Sequence, residues 1–338
     1  MSSHGRSKEV AIDACNVLVS SCGRRVGLIG CFRQSLQMRG IAGAVYGIDS
    51  SPDAPAFHLA DRAWLVPRCT EPRFPDAVLE LAQRYRIGLI VPTIDPELPV
   101  WAAQRERFRT AGVMVASGSS ECCAICGDKW NTYEWLCANG FPTVRTWRAD
   151  CRHEAEGWSF PLVAKPVNGS ASIGVQRIGN PAELRSVPLR GDILIQEAAP
   201  GLEYTINVFV DGRGKCLAAV PHQRLEVRAG EVSKARTLRD PALIELGMRI
   251  AERLPGAFGA LNIQGFLDAN GVFRVVELNA RFGGGYPLAH QAGARFTDWL
   301  VLEALGKARL PRLTDWTDGL AMLRYDEAIF TQGSNTQT

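Results

Sequence analysis

The sequence has no apolar run long enough to cross a bilayer. Its longest runs, such as Ile87 to Pro92 and Leu217 to Val220, fall far short of the ~20 residues that span the hydrocarbon core, so no membrane partner is expected. It also has no block of one charge. Lys+Arg 38 stands against Asp+Glu 35, the net charge is +3, and the basic residues are spread along the chain, so nucleic acid is not the expected partner. The segment Met1 to Asn16 carries Glu9 and Asp13 where a secretory signal needs an unbroken apolar core. Without an export signal, the 10 Cys are expected as reduced thiols in the cytoplasm. Cys123 and Cys126 form a C-x-x-C, yet no second ligand pair follows at zinc spacing, and the expected state is a helix with buried or partly exposed thiols. There is no internal repeat. With 46% hydrophobic and 22% charged residues the composition is globular, and 338 residues predict two or three domains.

What the chain does contain is an ordered change of pattern. Between Asn16 and Val115, short β-branched runs alternate with helical stretches, which predicts an α/β domain with a parallel sheet flanked by helices. Strands are expected at Asn16 to Ser20, Ala44 to Ile48, Trp64 to Val66, Gly88 to Val91 and Val113 to Val115, and helices at Val26 to Arg39, Asp76 to Arg86 and Glu97 to Thr110. Ser119 to Asn139 reads as two short helices, with Ser119 and Ser120 as N-cap candidates and Gly140 as a stop. From about Trp147, strands with Gly-rich turns predict a small α+β lid inserted in a larger α+β domain. The last third predicts a helix from Pro241 to Leu254, a hairpin from Leu261 to Asn279 and a helix from Thr297 to Gly306. The expected spans are therefore an N-terminal α/β domain over 1–118, a helical linker and lid over 119–198, a C-terminal α+β unit over 199–330 and a disordered tail over 331–338.

One glycine cluster invites a different reading. Gly23, Gly27 and Gly30 follow the first strand and Asp49 ends the second, as in a dinucleotide-binding unit. The spacing lacks the two glycines, one residue apart, that let a pyrophosphate approach the turn, which argues against a nicotinamide cofactor. Arg24 and Arg25 either face a small anionic ligand at the strand ends or form a solvated helix start.

The most informative segment is LNIQGFLDANGVFRVVELN, Leu261 to Asn279. Asn270-Gly271 predicts a two-residue turn, because both central positions need positive φ. That register pairs Ala269 with Val272, sets Gln264 across from Glu277, and sets Asn262 across from Asn279. All four then share one face with Phe266, Phe273 and Val275, while Leu261, Ile263, Leu267, Val272, Val276 and Leu278 occupy the buried face. A carboxylate and amide oxygens within about 5 Å, with no Lys among them and Arg281 as the nearest cation, suit Mg²⁺, although the hairpin taken alone reads first as an ordinary solvated sheet face.

A second segment, PLVAKPVNGSASIGV, ends an apolar strand at Lys165 and continues through Asn168, Gly169, Ser170, Ala171, Ser172 and Gly174. Backbone N–H groups in such a turn can converge on phosphate oxygens, although the lysine precedes the loop, the motif is not Walker A, and the loop taken alone reads first as a plain hairpin connection. A third, LIQEAAPGLEYTINVFV, interrupts an apolar strand at Gln196, Glu197 and Ala198, where free backbone donors and acceptors would suit an adenine edge. Glu203 follows and could bind ribose hydroxyls.

These residues, in this order, resemble the ATP-grasp superfamily, most closely the ATP-grasp unit of the carbamoyl-phosphate synthetase large subunit and related carboxylate–amine ligases. The resemblance runs from the N-terminal α/β domain to about Leu305. It implies that Lys129, in Gly127-Asp128-Lys129, and Lys165 are the nucleotide-phosphate cations and that Asn168 to Gly174, including Gly169, Ser170 and Ser172, is the glycine loop of the lid. It further implies Gln196 to Ala198 at the adenine, Glu203 on the ribose, Gln264, Glu277 and Asn279 on the metal, and Arg281 on phosphate. The implied cofactors are ATP and two Mg²⁺ ions. The D-alanine ligase type carries Asp where this chain has Gln264, and the presence of one ATP-grasp unit argues against a stand-alone carbamoyl-phosphate synthetase.

The chemistry implied is ADP-forming ligation of a small carboxylate to an amine, an amino acid fitting the amine role, through an acyl phosphate. Such phosphoryl transfer rests on positioning and charge neutralisation, so Lys165 and Arg281 carry it without a nucleophilic side chain. Among the five His, His222 and His290 are candidates near the substrate. Arg224, Arg228, Lys234 and Arg236 could hold carboxylates or line a solvated strand pair, and Asp95 and Glu97 could bind an amino group. A homodimer is compatible with this reading. The competing readings are an ATP-binding sensor without ligase activity and a nicotinamide-dependent dehydrogenase.

Overall fold

The computed structural model describes residues 13–151, 157–169, 173–307 and 311–331. The tail expected to be disordered lies outside them apart from Thr331, as do Ser170, Ala171 and Ser172 of the expected glycine loop. Among the described residues the strands form three sheets.

The first sheet belongs to the N-terminal part, which runs β1 (Asn16–Val19), α1 (Val26–Arg39), β2 (Val45–Asp49), α2 (Pro55–Leu59), β3 (Arg62–Leu65), α3 (Phe74–Arg84), β4 (Ile87–Val91), a 3₁₀ turn (Asp95–Glu97), α4 (Leu98–Thr110) and β5 (Met114–Val115). Its strand order is β3-β2-β1-β4-β5, and every pairing is parallel. Val17, Leu18 and Val19 are all buried because helices cover both faces of a parallel sheet. The expected strands and helices are present, with small shifts. The helix expected at Asp76 to Arg86 starts two residues earlier because Pro75 suits a first turn, and it stops at Arg84 because Arg86 takes φ +50°. The short α2 was not expected.

The chain continues through α5 (Ser120–Gly127) and α6 (Lys129–Ala138). Ser119 Oγ accepts from the Cys122 N–H at 3.1 Å and caps α5, as expected, and Asp128 Oδ1 caps α6 by accepting from Trp130 and Asn131. Both helices pack beneath the large sheet, where Cys122, Cys123 and Cys126 are free and buried beside Leu136, Val275 and Leu278. Burial pushes the Cys123 thiol up to about 11, so the C-x-x-C is a packing element.

A small sheet follows, with β6 (Thr146–Arg148), β7 (Leu162–Pro166), β8 (Gln176–Ile178), α7 (Pro181–Ser186) and β9 (Ile193–Glu197), in the order β6-β9-β7-β8. Its own core holds Leu162, Ala164, Ile178, Leu184 and Ile195. The largest sheet is antiparallel and contains β10 (Leu202–Val210), β11 (Cys216–Arg228), β12 (Glu231–Thr237), β13 (Gly259–Leu267), β14 (Phe273–Asn279) and β15 (Ala321–Leu323), with α8 (Pro241–Arg253), α9 (Tyr286–Gln291) and α10 (Phe296–Ala304) around it. The order is β14-β13-β10-β11-β12-β15. Helix α9 and strand β15 were not expected.

Alternation along β10 links the parts. Ile206, Val208 and Val210 pack with Leu243 and Ile250 of α8, while Phe209 on the other face joins a core shared with Phe32, Phe282, Tyr286, Phe296 and Trp299. That core spans the N-terminal sheet and the large sheet, so the seam between them is continuous and apolar. At Gly27 a Cβ would lie 3.0 Å from Pro287 Cγ, which accounts for one member of the dinucleotide-like glycine cluster as a close contact between α1 and α9.

Candidate active site

The hairpin β13–β14 departs from its expected turn but keeps its expected constellation. Asp268 N–H donates to Val272 O at 3.1 Å and Gly271 alone has positive φ, +78°, so the turn is a three-residue loop instead of the two-residue turn that needs positive φ twice. That change displaces the register by one, pairing Leu267 with Phe273 and Gly265 with Val275. A bulge at Val276 then restores it, so that Gln264 faces Glu277 and Asn262 faces Asn279 as expected. Gly265 makes room for the bulge: a Cβ there would sit 2.3 Å from Arg274 O. The bulge reverses three expected faces. Val275 and Phe273 are core residues, and Val276 lines the cleft. Val272, expected to be buried, is exposed beside the turn.

Asn262 organises the polar face. Its Oδ1 accepts from Gln264 Nε2 and from Asn279 Nδ2, each at 3.2 Å, while its own Nδ2 donates to Arg281 O at 3.0 Å. The hairpin face itself carries no lysine, as expected, but Lys129 at the start of α6 reaches it: its Nζ stands 3.6 Å from Glu277 Oε1 and donates to Gly169 O at 2.6 Å. Lys129 thus joins the start of α6 to the loop after β7.

Lys165, on β7, is buried and donates to Gln196 Oε1 at 2.8 Å, and Gln196 Nε2 in turn donates to Thr146 Oγ1 at 2.8 Å. Burial lowers the Lys165 ammonium to about 8, with Lys129 adding to the effect and Glu277 opposing it. Gln196 and Glu197 lie within β9 and do not interrupt it. Glu197 N–H donates to Arg145 O at 3.0 Å and Ala198 N–H to Pro161 O at 3.3 Å, so the backbone donors expected to be free there are engaged, because β6 and β7 flank the strand. All three still line the cleft. Glu203, expected ahead of the strand, lies inside β10, and burial raises its carboxyl although Arg224 stands close.

These residues surround one cleft of about 370 Å³ between the small sheet, the large sheet and the N-terminal part. Arg281 reaches across to Asp95 in a two-pronged pair at 2.8 and 2.6 Å and donates to Asn279 Oδ1 at 3.2 Å. Burial works against its charge, but Asp95 and Glu277 outweigh it and hold the guanidinium above its ordinary value. Glu97 is not available to an amino group. It is fully buried and accepts from Ser20, Ser21, Thr93 N, Ile94 N and Trp101, which fixes the loop that carries Asp95.

His222 and Arg224 bring orphaned donors to the cleft. His222 Nδ1 pairs with Asn207 Nδ2 at 3.1 Å, while its buried Nε2 has no partner among the described residues. Burial lowers this imidazole to about 3, with Arg224 adding to the effect, so it is neutral at neutral pH and carries its proton on Nε2. Arg224 Nε lies 3.3 Å from Glu203 Oε1 but is not aligned for a hydrogen bond. His290 lies elsewhere, in the seam between α1 and α9, bonded to Gln34 at 2.8 Å. Lys234 and Arg228 pair with Glu226 on an exposed stretch and are the solvated strand pair. Residues not assigned from the sequence also line the cleft: Thr205, Glu231 and the run Gly283, Gly284 and Gly285.

With this geometry in place, the comparisons are specific. The PylC-like N-terminal domain family matches residues 17–116, and the ATP-grasp domain family matches residues 126–285. Residues 126–285 form an ATP-grasp domain. The matched segment contains Lys129, Lys165, Gln264, Glu277, Asn279 and Arg281. Among curated relatives this chain is similar to the D-alanine–D-alanine ligase of Stutzerimonas stutzeri, 26% identical over 221 residues, covering 58% of this chain and 69% of that one. It is similar to the phosphoribosylamine–glycine ligase of Xanthomonas campestris at 24% identity, covering 62% of this chain and 56% of that one. The biotin carboxylase domain of Hydrogenobacter thermophilus 2-oxoglutarate carboxylase, solved with MgADP, ADP and bicarbonate, shares the fold with a TM-score of 0.70 at 18% identity, covering 90% of this chain and 73% of that one. No helix among the described residues is long and apolar enough to cross a membrane.

Proposed function

We propose that this ATP-grasp protein is an ATP-dependent ligase that joins a small carboxylate to an amine, an amino acid serving as substrate, with release of ADP and phosphate. The observation that carries the reading is the convergence of Lys129, Lys165, Arg281 and the trio Gln264, Glu277 and Asn279 on one cleft within the ATP-grasp segment. The similarity to two amino-acid-using ligases supports the substrate class. In this reading, 119–198 supplies the linker and lid and 199–330 the second half of the nucleotide site.

The residues fit MgATP. Among the described residues, the buried Lys165 ammonium donates only to a neutral amide and His222 Nε2 is a buried donor without an acceptor, while Glu277 stands beside two amide side chains. Anionic phosphate suits the first two and a hard cation the third. Glu277, Asn279 and Gln264 would hold Mg²⁺, two ions in the full site, which would neutralise charge on the terminal phosphates.

The chain's own residues then divide the work. Lys129 and Lys165 hold the phosphates from the two sides of the cleft, with Gln196 aiming Lys165. Glu203 and Gln196 to Ala198 bound the nucleoside end. Arg281 presents its guanidinium to the transferring phosphoryl group and the substrate carboxylate, and Asp95 orients it. No side-chain nucleophile is needed, because the substrate carboxylate attacks the γ-phosphorus and the amine then displaces phosphate from the acyl phosphate. Phosphate release from MgATP across a panel of amino acids and small carboxylates tests the proposal: substrate-dependent ADP and phosphate are expected, and ATP binding without turnover under any pairing would instead identify a sensor.

A further inference from the structure

Gly283, Gly284 and Gly285 follow Arg281 almost directly, and none of them takes the left-handed conformation that favours glycine. Their missing side chains are therefore a matter of space. A Cβ on Gly284 would come within 2.9 Å of Glu231 Oε2 and 3.2 Å of Arg25 Nη1, and one on Gly285 within 2.8 Å of His222 Nε2. The run forms a floor under an acidic and a basic side chain.

Those two side chains come from distant parts of the chain. Arg25 lies in the turn before α1, Glu231 opens β12, and they meet at 3.1 Å on the wall of the cleft. Arg324 gives Glu231 a second guanidinium at 3.0 Å. Burial pushes the Glu231 carboxyl up, but Arg25, Arg324 and Arg24 outweigh it and hold it below the ordinary carboxylate range. None of these groups has a task at the nucleotide. A partly buried ion pair adds little to stability, since desolvation offsets most of its attraction. Set side by side at the end of a cleft, however, a guanidinium and a carboxylate are the complement of a zwitterion. Two guanidiniums around one carboxylate leave a positive surplus, which favours a ligand with a carboxylate over a bare amine.

Resting on the ligase reading, we propose that Arg25 and Glu231, over the floor made by Gly284, form the head-group subsite for an α-amino acid substrate. Arg25 takes the α-carboxylate and Glu231 takes the α-ammonium. Without substrate the two groups pair with each other, and the zwitterion exchanges that contact for two of its own. Arg324 keeps Glu231 ionised and in place throughout.

The test is steady-state phosphate release with MgATP and each proteinogenic L-amino acid, followed by KM measurements with the best of them. Gly284→Ala moves only the far ends of two flexible side chains, so it is expected to raise the amino-acid KM about tenfold or more while the MgATP KM stays within about twofold. The triple exchange R25E/E231R/R324E restores both ion pairs of Glu231 in reversed sense. It is expected to unfold within about 3 °C of wild type and to lose amino-acid-dependent release. An unchanged amino-acid KM in Gly284→Ala, or amino-acid-dependent release by the folded triple variant at the wild-type KM, overturns the subsite while leaving the ligase reading intact. Absence of release by the wild-type protein with every amino acid and carboxylate overturns the ligase reading, and the subsite with it.

Discussion

At the end of the cleft that carries the two lysines, Gln264, Glu277 and Asn279 stand on neighbouring strands of one hairpin and Lys165 lies on a single strand of the small sheet. At the other end, Arg25, Glu231 and Arg324 come from the turn before α1, from the start of β12 and from the segment after β15. The first arrangement is local, so its chemistry can be written in a short stretch of sequence. The second exists only once the N-terminal sheet has docked on the large one through the apolar seam around Phe32, Phe282 and Phe296. The hairpin end depends on contacts within one motif, whereas the other end depends on the docking of two sheets.

The largest expected effect tests the hairpin itself. Val275 is fully buried and Val276 faces the cleft, so Val275→Asp should cost about 3–5 kcal/mol of stability by leaving a charge buried and unpaired, whereas Val276→Asp should retain the fold. Equal losses in urea denaturation would place the bulge elsewhere and undo the face assignment of Glu277. Next comes Glu277, the carboxylate proposed to hold the metal. Glu277→Gln should fold normally and lose about 10²-fold in kcat at limiting Mg²⁺, with partial recovery at high Mg²⁺. Wild-type turnover in that variant would remove the metal role.

The seam end should respond more mildly. Asp95→Asn leaves Arg281 in place but without its two-pronged partner, and a loss of about tenfold in kcat/KM for the carboxylate is expected. The smallest effect is a proton. Burial holds Lys165 at about 8, and bound phosphate should raise it, so MgATP binding at pH 8 should take up about half a proton, measured by calorimetry in buffers of different ionisation enthalpy. Affinity should accordingly fall as pH rises above 8. Without nucleotide the sign is opposite for stability: between about 8 and the ordinary lysine value near 10.4 the unfolded chain binds more protons, and this group makes the fold more stable as pH rises. Lys165→Met should abolish the proton uptake.

Much of the fold was legible because its periodicities are strong. The parallel N-terminal sheet, the capped helices after Ser119 and the hairpin pairing of Gln264 with Glu277 all follow from patterns a few residues long. The hairpin also shows how two local features can cancel. The Asn270-Gly271 turn is one residue longer than expected, and the Val276 bulge compensates, yet only the packing around Gly265 and Phe273 determines where that bulge falls. Glu97 and Asp95 looked equivalent in sequence. One is fully buried among donors and the other pairs with an arginine 186 positions away, a difference that no local pattern encodes. For the same reason Glu231 and Arg324 were invisible, whereas the Gly283 to Gly285 run after Arg281 was a signal available in the sequence.

Isotope transfer decides whether the cleft passes the terminal phosphoryl group of ATP to a carboxylate. With the carboxylate substrate labelled with ¹⁸O, the account predicts ADP as the nucleotide product and one labelled oxygen in each phosphate released, because the carboxylate oxygen bonded to phosphorus leaves with it when the amine attacks. Unlabelled phosphate, or AMP with pyrophosphate, would contradict the acyl-phosphate route and leave Lys165, Arg281 and the Gln264, Glu277 and Asn279 trio without the roles given to them here.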